Sequence, residues 1–150
     1  MKAKYQNRVN YNHFSYGPRL DISSDQDLYV LRFISELGVT DLRLTNCQNA
    51  HLLRVPANLR RLIHYPSGMK TAKGLERLVD LEYLDIEDAQ IVELNIRGLM
   101  ELTHIWVHKN QIMDLSAAEY LKAKECCQSN YSIGSQTQPS QEEIDQARLW

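Results

Sequence analysis

The stretch LEYLDIEDAQI, Leu81 to Ile91, superimposes without a gap on LTHIWVHKNQI, Leu102 to Ile112. Both follow the form L-x-x-[LI]-x-[IV]-x-x-[AN]-x-I. LRRLIHYPSGM, Leu59 to Met69, keeps the skeleton with His64 and Ser67 at two of its places. VTDLRLTNC, Val39 to Cys47, fits again, and RLDISSD, Arg19 to Asp25, is a fainter copy. The first strand aliphatic of each copy is Leu20, Leu42, Leu62, Leu84 or Ile105, a step of 20 to 22 residues. A unit this short cannot bury its own apolar face, so the copies must stack into one continuous core.

The connections obey a second rule. Leu75, Leu78, Leu81 and Leu84 recur every three residues, as do Ile96, Leu99, Leu102 and Ile105, and Leu53, Pro56, Leu59 and Leu62. Three-residue spacing suits extended or 3₁₀ backbone better than an α-helix. SSDQDLYVLRFISELG is read differently, as a true helix. Ser24 is its N-cap, Asp27 stands at the capping-box distance, and Gly38 is its stop. Upstream, Val9-x-Tyr11 and Phe14-x-Tyr16 suggest a capping strand or hairpin. Downstream, Ser116 and Glu119 open a capping helix over residues 117–127. SIGSQTQPS, Ser132 to Ser140, has linker composition, and a short final helix follows to Trp150. The expected organisation is one repeat domain with its caps over 1–131, then a linker and C-terminal helix or tail over 132–150.

Composition narrows the function classes. The chain is 43% hydrophobic and 24% charged, ordinary for a folded protein. Its net charge of −2 offers no general attraction to a phosphate backbone, so no nucleic-acid partner is expected. MKAKYQNRVNYNHF holds no continuous apolar run, and no stretch approaches a membrane span, so neither a secretory signal nor a membrane partner is expected. Cys47, Cys126 and Cys127 form an odd set without framework spacing, which fits a reducing, cytoplasmic setting.

On these residues the chain resembles the leucine-rich repeat family, most closely its short intracellular units of the phosphatase-regulator-like and internalin-like kinds. The resemblance covers about residues 19–115. It implies an α/β fold: a short right-handed solenoid with a curved parallel sheet, a 3₁₀ or helical convex side, an N-terminal strand or hairpin cap and a C-terminal helical cap. In that family an asparagine caps backbone groups between turns. Here only Asn110 keeps it, with Asp25, Cys47, Ser67 and Ala89 at the equivalent places. Alanine cannot form that hydrogen bond, so local irregularity is expected at Ala89.

The family's geometry also implies which side chains line the concave face. They are Asp41, Arg43 and Thr45; Arg61, Ile63 and Tyr65; Tyr83, Asp85 and Glu87; and His104, Trp106 and His108. Aromatics gather on adjacent strands there, and Tyr and Trp carry much of the energy of protein interfaces. The expected partner-binding residues are Arg43, Arg61, Tyr65, Tyr83, Asp85, Glu87, His104, Trp106 and His108. The alternative for Trp106 is a place under the C-terminal cap, against Tyr120 or Leu121. His104 and His108 stand about 13 Å apart along a strand and cannot share one ion, so no metal is expected. His64 occupies an inward slot and reads as a hydrogen-bonded core histidine.

The expectation is a non-enzymatic adaptor or regulator, monomeric when free, that needs no cofactor and binds a protein or peptide on its concave face. One alternative is a structural or self-assembling subunit of a larger complex. The other is a thiol enzyme using Cys126 or Cys127, which would need a nearby base and a depressed pKa. The chain has no phosphate-binding loop, no nucleophile elbow and no zinc-ligand spacing.

Overall fold

The computed structural model describes residues 6–12, 15–52, 55–65, 69–107, 109–113, 131–132, 140–142 and 145. They build one all-parallel sheet in sequence order: β1 (Arg19–Ile22), β2 (Asp41–Leu44), β3 (Arg61–His64), β4 (Tyr83–Asp85), β5 (His104–Trp106) and a two-residue β6 (Tyr131–Ser132). The register pairs Leu20 with Leu42, Leu42 with Leu62, Leu62 with Leu84 and Leu84 with Ile105. These are the first aliphatics of the five sequence copies, so one sequence repeat is one strand plus its return.

The core follows from that register. Each of the five aliphatics is fully buried, as is the next inward position, occupied by Ile22, Leu44, His64, Ile86 and Val107. Burying one such aliphatic is worth roughly 1.5–3 kcal/mol, far more than the strand preference of three or four residues. The connections close the other side. Leu75, Leu78 and Leu81, then Ile96, Leu99 and Leu102, are all buried at three-residue steps. A 3₁₀ turn at Leu75–Arg77 sits within the first of these sets.

The helix expected after Ser24 is 3₁₀ in form, with segments at Asp25–Phe33 and Ser35–Leu37. Its apolar positions explain the difference. Leu28, Leu31, Ile34 and Leu37 are spaced by three, so only a helix of three residues per turn keeps all four on the buried side. Ser24 does cap it, its hydroxyl accepting from the Gln26 amide at 3.2 Å. Asp27 instead pairs with Arg8 at 3.1 Å. Gly38 ends the segment at φ 68°.

A turn rule that the sequence copies did not announce appears after the strands. Asn46, Asp88 and Lys109 all take left-handed backbone, at φ 54°, 53° and 56°. Each lies four residues beyond the first aliphatic of its copy. Asn and Asp tolerate this region better than other side-chain-bearing residues. Asp88, next to Ala89, takes the same angle as its counterparts in the other two turns. Asn110 Nδ2 donates to the Ile86 and Val107 carbonyls at 2.8 and 2.9 Å, and its Oδ1 accepts from the Ile91 amide at 3.2 Å. Cys47 does part of the same work, its thiol donating to the Thr45 and Ile22 carbonyls.

Upstream of β1, Asn10 and Arg19 exchange both backbone hydrogen bonds in an antiparallel bridge, at 2.8 and 2.9 Å, and Val9 is buried. At the other end, β6 carries the sheet one residue past the boundary expected at 131. Gln141, Glu142 and Asp145 are helical. The expected helix over 117–127, Ser67, Cys126, Cys127 and most of the expected linker lie outside the described residues. Among the described residues no helix is long and apolar enough to cross a membrane.

Candidate functional site

Alternation along each strand leaves one face of the sheet turned away from the core. The register lines its residues into columns. The first column runs Arg19, Asp41, Arg61, Tyr83, His104, and the second runs Asp21, Arg43, Ile63, Asp85, Trp106. Tyr65 and Glu87 belong to a third, beyond the strand ends, where Tyr65 is 44% exposed. The face brings together eight of the nine expected binding residues. The ninth, His108, lies outside the described residues.

The first column is an internally bonded seam, which the alternation alone did not reveal. Asp41 is fully buried. Its Oδ2 accepts from Arg19 Nε at 2.8 Å and lies 3.4 Å from an Arg61 guanidinium nitrogen. The Arg61 guanidinium carbon also lies 4.8 Å from the Tyr83 ring centroid and 5.4 Å from that of Tyr16. Tyr83 then stacks on the His104 ring at 5.5 Å. His104 Nδ1 is in turn 2.8 Å from the Thr103 hydroxyl. Burial pushes the Tyr83 phenol above its ordinary range, the Asp85 charge adds to this, and Arg61 opposes it. Tyr83 is therefore neutral at physiological pH, and its ring acts as a platform.

Tyr16 is the residue that sequence reasoning missed here. It was grouped with the segment covering the first strand, yet its ring lies 5.9 Å from that of Tyr83, on the fourth. Its carbonyl accepts from the Thr40 hydroxyl at 2.6 Å, fixing where the segment crosses. Gly17 makes the crossing possible: at φ 91°, a Cβ there would collide with Thr40 Oγ1. No local pattern encodes a contact across so much chain. The seam around Asp41 did leave a trace, since Arg19 and Arg61 flank it in the repeat register.

The second column is more exposed at its Asp21 and Arg43 end. Arg43 keeps 43% of its side chain exposed, and its contact with Asp21, itself 62% exposed, is long at 3.9 Å. Its Nε makes no hydrogen bond. Ile63 is the floor, only 9% exposed. Asp85 and Trp106 pair across β4 and β5, and both are half-buried, as is Glu87.

Two further groups bear on chemistry. His64 is fully buried, and its Nε2 lies 2.7 Å from the Cys47 carbonyl, an arrangement that makes Nε2 the donor. Burial drives its pKa below the ordinary value of 6.5, against the smaller opposing effects of that hydrogen bond and of Asp25. Burial also holds the Cys47 thiol above its ordinary range, with Asp25 adding to the effect, so it serves as a donor and not as a thiolate. Among the described residues no group of three or more His, Cys, Asp or Glu side chains could hold a metal ion. No protein-family model matches the chain, and no curated protein matches it either.

Proposed function

We propose that the chain is a leucine-rich-repeat solenoid, closed by a cap at each end, that acts as a non-enzymatic adaptor or regulator in the cytoplasm. It binds a protein or peptide on the concave, outward face of its sheet and is a monomer when free. The observation that carries the reading is the contrast between the two faces. Of the ten inward positions nine are aliphatic, whereas the same strands turn outward a cluster of aromatic and charged side chains around Tyr83, Asp85, His104 and Trp106. Such a cluster adds nothing to the aliphatic core, and aromatic anchors beside charges suit a protein interface. The solenoid reading is supported by the matched register and by the repeated left-handed turn.

Affinity capture from lysate with mass spectrometry, comparing wild type with Trp106→Ala, tests this. A partner held by the wild type and lost by the variant, at unchanged melting temperature, supports the concave face. Capture by both variants alike would move the binding surface elsewhere.

A specific observation favours self-assembly as a second reading. Val79 and Met100 occupy equivalent places in consecutive units and are 52% and 63% exposed. Light scattering separates the two, since a self-assembling chain would not run as a monomer.

A further inference from the structure

The hydrogen bonds beneath His104 decide which of its nitrogens carries the proton, and that decides what the outward face can receive. The Thr103 hydroxyl lies 3.0 Å from the Glu82 carbonyl, which can only accept, so its single hydrogen points there. The same hydroxyl oxygen is 2.8 Å from His104 Nδ1 and must accept from it. One arrangement alone meets both contacts: the neutral ring carries its hydrogen on Nδ1 and keeps its lone pair on Nε2. Tyr83, stacked at 5.5 Å, fixes the plane of the ring. Nε2 makes no hydrogen bond to any described residue and is not among the buried side-chain atoms that lack one, so solvent reaches it.

Trp106 follows two residues on, on the same face of β5. Its indole N–H is likewise unpaired among the described residues and open to solvent. A fixed acceptor and a donor thus stand side by side, their Cα atoms about 6.6 Å apart along the strand. That is near the span of two hydrogen bonds of about 2.8 Å meeting at one oxygen. A hydroxyl is the neutral group that both donates and accepts through a single atom. The surface around it is aromatic and already seats one phenol ring, since Tyr16 of this chain lies 5.9 Å from Tyr83. Tyr16 forms no hydrogen bond with His104, whose Nε2 stays available. We propose that His104 and Trp106 recognise a tyrosine side chain of the partner. Its hydroxyl donates to His104 Nε2 and accepts from the Trp106 indole N–H, while its ring rests against the Tyr83–His104 stack. This rests on the concave-face reading above and adds the side chain that the face selects.

The position of the proton is tested first, with no ligand present. Nitrogen NMR of the histidine rings should show the His104 proton on Nδ1, and a proton found on Nε2 overturns the inference. Peptide selection then tests recognition. A random linear library displayed on phage, with the immobilised full chain as bait, should enrich sequences that share a tyrosine. Replacing that tyrosine by phenylalanine in a selected peptide should weaken binding to wild type about tenfold. His104→Phe, which keeps a flat ring against Tyr83, should bind the two peptides equally. If that variant fails to fold, the peptide substitution against wild type gives the readout alone. Unchanged affinity for the phenylalanine peptide, or an equal loss on His104→Phe, overturns the tyrosine inference alone. So do enriched peptides without tyrosine that Trp106→Ala loses. Enrichment indifferent to Trp106→Ala, or none at all, overturns the concave-face reading together with it.

Discussion

Asp41 and Asp85 are both carboxylates on the outward face of one sheet, two strands apart, yet their surroundings are opposite. Asp41 is fully buried between Arg19 and Arg61, while Asp85 is half-buried beside Trp106. The difference is one of column. Asp41 belongs to the line that Tyr16 and the ring stack cover, and Asp85 to the neighbouring line, whose exposed end is at Asp21 and Arg43. Facing away from the core is thus not the same as facing solvent. A face can carry its own polar core on one side and a surface fit for a partner on the other.

The sharpest way to break this comparison is to remove the buried carboxylate. Asp41→Ala leaves Arg19 and Arg61 without their shared counter-charge, a change that typically costs 3–5 kcal/mol. Both arginines keep some exposure, at 20% and 16% of their side chains, so about 3 kcal/mol is expected here. Chemical denaturation measures it. A variant as stable as wild type would mean that the seam is not structural.

In the second column the effect should fall on binding. Trp106→Ala is expected to cost at least ~2 kcal/mol of partner affinity, about thirtyfold, with little change in melting temperature. Isothermal titration with a captured partner, beside a thermal melt, gives both numbers. A large fall in melting temperature would place Trp106 in the folded core with Asp41, and the two columns would no longer differ.

The third test is pH, read on the inward histidine. A histidine whose pKa is lowered by folding binds fewer protons in the native state than in the unfolded one. Stability should then be independent of His64 above its ordinary value of 6.5 and fall as pH drops below it. Melting curves across that window should show the loss, and His64→Leu should flatten it. The loss remaining in His64→Leu would assign it to other groups.

The smallest effect is expected for Arg43→Gln, within about 0.5 kcal/mol of wild-type stability, since its exposed pair with Asp21 is weak. Thermal melts at low and high salt check it. A loss approaching that of Asp41→Ala would make the second column structural as well.

Much of the fold was legible because burial imposes a period. Leu20, Leu42, Leu62, Leu84 and Ile105 can meet only if each copy returns in register, and three-spaced leucines can stay inside only on a three-residue turn. The same rule, applied to Leu28, Leu31, Ile34 and Leu37, would have identified the first helical segment as 3₁₀. The left-handed turn residue was partly legible, since Asn46 and Asp88 favour it, but Lys109 gives no such sign. The membership of the outward face was legible from alternation together with the repeat geometry that the family resemblance implies.

What alternation cannot carry is the content of that face. Its period of two assigns a side but says nothing about which neighbours on that side find one another. Arg61 could have reached water as readily as Asp41, and Tyr16 could have stayed over β1. Their meeting is decided by where the segment around Gly17 crosses Thr40 and by the distance between strands, both properties of the assembled sheet. The aliphatic core is additive and non-directional, so its pattern survives in the sequence. The polar seam depends on distances of a few ångströms between residues far apart in the chain, and only the tertiary structure sets those.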